Sequence, residues 1–176
     1  ILVAPGHNDS DFVIKLILNA ASISKYNFTI KIHPKVSIDK INGLIKERNN
    51  SSEIKDQVKI VIDSDLYSLF ENHHIFLSSY SSAGIEAIAF KLPVIILRSR
   101  RKADMSLFQP FAENVLYADS HQGLISSIRR IQMDKEFRKR YFKQLNLIFS
   151  NSFGNIKKKS SLKVNDFFQD YLINHS

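Results

Sequence analysis

IFLSSYSSAGIEAIAFKLPVIIL, from Ile75 to Leu97, reads as a buried strand, a serine-rich turn, a helix and a second buried strand. Ile75, Phe76 and Leu77 form the short apolar run that a parallel strand covered on both faces requires, and Ser78 to Ser82 end it. Ser81 or Ser82 suits an N-cap, with Ala83 to Ala89 following as a helix. Small side chains at such a turn let a ligand approach the backbone. The exposed N–H groups and positive dipole end of the helix favour a phosphate there. Helix capping alone is the competing role for Ser81. Glu86 stands one turn in, where the dipole also favours a solvated carboxylate.

Working outward, strands and helices alternate. Ile1 to Ala4 reads as a strand and Pro5 to Ser10 as a turn. A helix follows with Phe12, Val13, Leu16, Ile17, Ala20 and Ala21 on one face. Phe28 to Ile32 is a second strand, ending in His33-Pro34. Ser37 caps a helix buried through Ile38, Ile41, Leu44 and Ile45, and Asn49 to Ser52 is a polar loop. Val58 to Ile62 is the third strand, with a short helix near Asp65 to Glu71. The opening stretch supplies strands four and five, and Val115 to Ala118 the sixth. This alternation predicts an α/β fold, a doubly wound parallel sheet of order 3-2-1-4-5-6 with a ligand crevice at the switch point between strands one and four. Three helical stripes close the chain: Leu124, Ile125, Ile128 and Ile131; Phe137, Tyr141, Leu145 and Ile148; and Val164, Phe167, Phe168, Tyr171 and Leu172. We expect a Rossmann-like doubly wound domain over 1–132, and C-terminal helices over 133–176 packed on it or on a further domain.

The 176 residues and 44% apolar content suit one such domain with a real core. No run approaches the roughly 20 apolar residues of a membrane span. With no cysteines, disulfides and thiolate metal sites are excluded, and a cytoplasmic setting is expected. The chain opens at Ile1, inside a strand and without an initiator methionine, so a piece of a longer protein is expected. Between Ser127 and Lys163 eleven Lys or Arg face only Asp134 and Glu136, a local net of +9, which leaves −1 of the chain's +8 for everything else. Such a segment suits peripheral contact with an anionic inner membrane face, or is an ordinary solvated helix surface. No nucleic-acid partner is expected.

The switch-point crevice collects Gly6 and His7 after strand one, His33 after strand two, Ser78 to Ser82 after strand four, and Arg98 to Lys102 after strand five. His33, held extended by Pro34, is placed to donate to a phosphate or act as an acid toward a leaving group, or to be satisfied by a loop carbonyl. Arg98 and Arg100 are placed to pair with phosphate or a sugar carboxylate, or belong to a basic loop. His73 and His74 end a helix at the opposite edge, where the C-terminal dipole accounts for them. No metal-ligand spacing is present, and the lone Gly6 makes no G-x-G-x-x-G, which argues against a dinucleotide cofactor; none is expected.

ILVAPG, IKIHP and SSYSSAGIEAIAFKLPVIIL together resemble the C-terminal, nucleotide-sugar-binding domain of GT-B glycosyltransferases, over about Ile1 to Ile131. The His-Pro element with the paired-serine turn is most similar to bacterial sialyltransferases, polysialyltransferases and capsular polysaccharide transferases that use CMP-sugars. The resemblance implies that His33 contacts the donor phosphate, that Ser81 and Ser82 bind it from the helix start, and that Glu86 accepts from ribose hydroxyls. It places the acidic general base in an N-terminal domain outside this chain, with a glycan or glycolipid as acceptor. A CMP-sugar is the favoured donor and a UDP-sugar the other. UDP-sugar 2-epimerases, CDP-glycerol glycerophosphotransferases and a non-catalytic nucleotide-binding module are the alternatives.

Overall fold

The computed structural model describes residues 1–6, 8–48, 56–99 and 108–153. Six strands form one all-parallel sheet: β1 (Leu2–Ala4), β2 (Phe28–Lys31), β3 (Val58–Val61), β4 (Phe76–Ser78), β5 (Val94–Leu97) and β6 (Leu116–Ala118). Their order is β3-β2-β1-β4-β5-β6, the doubly wound arrangement expected from the alternation. β1 pairs with both β2 and β4, with Leu2 opposite Thr29 on one side and Phe76 on the other. The chain therefore reverses direction across the sheet between β1 and β4.

Among the described residues, helices cover the sheet: α1 (Ser10–Ser22), α2 (Ile38–Arg48), α3 (Leu66–Glu71), α4 (Ala83–Ala89), α5 (His121–Met133) and α6 (Lys135–Phe153). A 3-10 turn at Gln109–Asn114 precedes β6. β1, β4 and β5 are buried throughout, as strands covered on both faces must be, whereas the edge strand β3 is partly exposed. α1 packs against both α2 and α5. It therefore buries Ile14 and Leu18 as well as the stripe read from the sequence, in which Phe12 is only half-buried, and its buried arc is wider than one face.

α6 packs on α4, α5 and the 3-10 turn. Tyr141, 2% exposed, reaches from α6 to the start of the β5–β6 ladder: its hydroxyl accepts from Leu116 N–H at 3.0 Å and donates to Val94 O at 2.5 Å. Burial pushes its phenol far up, so it stays a neutral donor. The stripe expected at Val164 to Leu172 lies outside the described residues.

α4 ends in a Schellman motif. Leu92 N–H donates to Ala87 O at 3.0 Å and Lys91 N–H to Ile88 O at 2.9 Å, with Lys91 itself at φ 59°. A side chain in this left-handed region is strained, and Lys91 is exposed. Lys91→Gly should stabilise the fold by about 0.5–1 kcal/mol, seen as a higher thermal midpoint. An unchanged midpoint would mean that the lysine stem offsets the strain.

Candidate functional site

The carboxyl ends of β1, β2, β4 and β5 meet at one edge of the sheet, and the loops after β1 and β4 lock together at the switch point. Gly6 N–H donates to Ser79 Oγ at 2.9 Å, and Ser79 is 1% exposed. Glycine is required at position 6 by this close approach: a Cβ there would lie 2.8 Å from Asp9 Oδ1 and 3.4 Å from Ser79 Oγ. Asp9 and Ser10, both buried, begin α1 directly beneath. The sequence places Ser79 in the crevice only as one of the run Ser78 to Ser82, and Asp9 only within the turn after strand one. For Asp9 the available signal was an N-cap-type residue before a helix; for Ser79, nothing separates it from its serine neighbours.

The serine turn resolves the choice between Ser81 and Ser82. Ser82 already has helical φ/ψ (−60°, −23°) and makes no side-chain cap bond. The capping chemistry belongs to Ser81, whose Oγ accepts from Ala83 N–H at 3.2 Å and whose carbonyl accepts from Gly84 N–H at 3.3 Å. Two of the N–H groups expected to face a ligand are thus spent within the turn. A hydroxyl that accepts one bond can still donate another, so Ser81 Oγ–H and the exposed Ser82 remain the groups that address an anion. Ser78, at the end of β4, is 1% exposed, and its hydroxyl has no hydrogen-bond partner among the described residues.

Gly84 has another purpose than ligand approach. A Cβ there would meet Phe108 Cε2 at 2.8 Å and Ser78 Cβ at 3.7 Å. The small residue admits the buried Phe108 ring against the first turn of α4, so the turn's smallness serves packing rather than an open cradle.

His33 is exposed at the end of β2, in a turn closed by Val36 N–H to His33 O at 2.9 Å. Its Nδ1 accepts from Lys35 N–H at 3.2 Å, which assigns the proton to Nε2 and makes that nitrogen a donor. Glu86 is half-buried on α4, and its Oε2 accepts from Tyr67 Oη at 3.0 Å. Arg98 is exposed but braced: its guanidinium lies 4.4 Å from the centroid of the Tyr117 ring, and the Arg98 backbone N–H donates to Ala118 O at 3.0 Å. His7 and Arg100 lie outside the described residues.

His73 and His74 sit at the opposite edge, lining a cleft of about 300 Å³ with Phe90, Lys91 and Arg138. His73 Nδ1 donates to Leu69 O at 2.6 Å, which satisfies a helix-end carbonyl, and burial pushes its imidazole down. Of the basic segment, Arg129, Lys139, Arg140 and Lys143 are exposed, while Arg130 lies 3.8 Å over the Phe137 ring. Among the described residues no helix is long and apolar enough to cross a membrane, and no group of His, Asp or Glu is arranged to hold a metal.

No family model matches the chain, and no curated protein does. Solved structures do. The UDP-GlcNAc 2-epimerase of Neisseria meningitidis, bound to UDP-GlcNAc, superposes with a TM-score of 0.60 at 18% identity, over 96% of this chain and 43% of that one. Anabaena Alr3699/HepE, in complex with UDP and glucose, gives 0.62 at 13% identity, over 98% and 48%. The C-terminal domain of a group 1 family glycosyl transferase, LpcC of Francisella tularensis, gives 0.58 at 13% identity, over 85% and 84%. This chain thus spans less than half of the first two proteins and corresponds in extent to the isolated C-terminal domain. The fold is Rossmann-like and of the GT-B type that glycosyltransferases and UDP-GlcNAc 2-epimerases share.

Proposed function

We propose that this chain is the donor-binding half of a glycosyltransferase that takes a sugar from a nucleotide-sugar. The observation that carries the reading is the interlocked switch point, where the Gly6–Ser79 bond draws the loops after β1 and β4 together below the serine turn. The donors suited to a phosphate are His33 Nε2–H, in the turn after β2, and the hydroxyls of Ser81 and Ser82 at the start of α4. When the bond between sugar and phosphate breaks, negative charge grows on the nucleotide oxygen, and donors already oriented toward it favour that step. His33 serves as the donor to that oxygen. Glu86 accepts from the ribose, and Arg98, braced on Tyr117, is assigned to a sugar carboxylate, which a guanidinium grips with two parallel bonds. The base that activates the acceptor hydroxyl is assigned to a second domain outside this chain.

A UDP-sugar 2-epimerase is the second reading, favoured by the likeness to the Neisseria enzyme with UDP-GlcNAc bound. The pairing of His33 with two serines argues for the single phosphate of a CMP-sugar, while the similar structures hold uridine nucleotides. A competition titration with CMP, CDP, UMP and UDP decides between them. CMP preference supports the sialyltransferase-like donor, and UDP preference moves the reading to a UDP-sugar enzyme. In either case His33→Ala should weaken nucleotide binding by about 1.5–3 kcal/mol, the worth of a hydrogen bond to a charged group. Unchanged affinity would remove His33 from the phosphate site. The chain alone is expected to bind without turnover, and sugar transfer by it would contradict the assignment of the base to another domain.

A further inference from the structure

Tyr67 is 51% exposed, yet its side chain is tied at both ends. Its ring stacks on Phe90 at 5.4 Å and 11°, and lies 6.2 Å from Phe70. Phe70 is itself buried and edge-on to Phe76 of β4 at 5.2 Å and 86°. Beyond the ring, the hydroxyl donates to Glu86 Oε2 at 3.0 Å. Ser82, Glu86 and Phe90 follow one another at i, i+4 and i+8, so they share one face of α4, and Tyr67 spans the turn between the last two. A chain of aromatic contacts therefore runs from the central strand β4 to the carboxylate of Glu86.

We infer that Tyr67 is a positioning residue for sugar recognition: it fixes the Glu86 carboxylate so that it accepts the hydroxyls of a nucleotide's ribose. The inference rests on the donor-site reading above. A glutamate on a helix surface otherwise samples many rotamers and must be ordered when a ligand arrives, which weakens binding. Tyr67 removes that cost, since the carboxylate is already held in the free protein. Oε1 has no hydrogen-bond partner among the described residues, and Oε2 keeps a second lone pair, so both O–H groups of a cis-diol find acceptors. The bond to Glu86 and its negative charge push the Tyr67 phenol up, so it stays a donor through the neutral range.

The test is calorimetry on the full chain with the tighter of UDP and CMP and with its 2′,3′-dideoxy analogue, for the unmodified protein, Tyr67→Phe, Glu86→Gln and the double variant. Tyr67→Phe keeps the ring stack and removes only the hydroxyl. It is expected to weaken the ribonucleotide 3–10-fold and leave the dideoxynucleotide unchanged, while the double variant binds no more weakly than Glu86→Gln alone. A purely structural role would weaken both nucleotides together, and that result, or unaltered ribose discrimination in Tyr67→Phe, overturns the inference with the donor site intact. Binding of neither nucleotide by the unmodified chain overturns the donor-site reading, and the role of Tyr67 falls with it.

Discussion

Tyr141→Phe is expected to destabilise the fold by about 2–4 kcal/mol, because it strips the partner from a buried backbone carbonyl and from a part-buried N–H at once. The hydroxyl stands between Val94 O and Leu116 N–H, one step before the first paired residues of β5 and β6, Ile95 and Leu116. It extends the ladder by one rung that the backbones do not make directly. Phenylalanine preserves the ring, including its stack on Phe137 at 5.5 Å and 11°, so the loss reports the hydroxyl rather than a cavity. With the site 2% exposed, water cannot replace it without reopening the core. Urea unfolding should show a lower midpoint at unchanged slope. A loss under about 0.5 kcal/mol would mean that strand and helix relax to satisfy each other, since ordinary surface changes fall in that range.

Tyr141 illustrates what a sequence exposes and what it conceals. Its place in the stripe Phe137, Tyr141, Leu145, Ile148 is legible, because helical periodicity reports which side faces inward. The destination of its hydroxyl is not, because that depends on a strand start 47 residues away. The same division runs through the candidate site. The strand order follows from alternation and from the handedness of crossovers, so the edge that gathers Gly6, His33, Ser81, Ser82 and Arg98 could be read in advance. Pairings across that edge could not: Ser79 with Gly6, Tyr117 beneath Arg98 and Tyr67 on Glu86 join loops or elements distant in the chain. Arg98 was one of several basic residues in a loop until the Tyr117 face gave it a fixed place. His33 carries a local signal, since the turn begun by Pro34 directs Lys35 N–H onto its own Nδ1 and so selects the tautomer.

The glycine in the serine turn is the position where local reasoning points the wrong way, and it yields the second large effect. By helix propensity alone, Gly84→Ala should stabilise α4 by about 1 kcal/mol. The structure reverses the sign: the new methyl would sit 2.8 Å from Phe108 Cε2 and 3.2 Å from Cζ, against a ring that is 1% exposed and cannot swing into solvent. Overpacking of this kind costs about 1–3 kcal/mol, and a net loss of stability is expected. Which group yields decides the functional consequence. If the ring moves, α4 keeps its start and nucleotide affinity is unchanged. If the helix moves, Ser81 and Ser82 move with it and affinity falls together with stability. Phe108→Leu in the Gly84→Ala background should recover part of the lost stability, because the two side chains compete for one space and their effects are coupled. Additive losses in the double variant, measured by chemical denaturation, would place the strain elsewhere than in the Gly84–Phe108 contact.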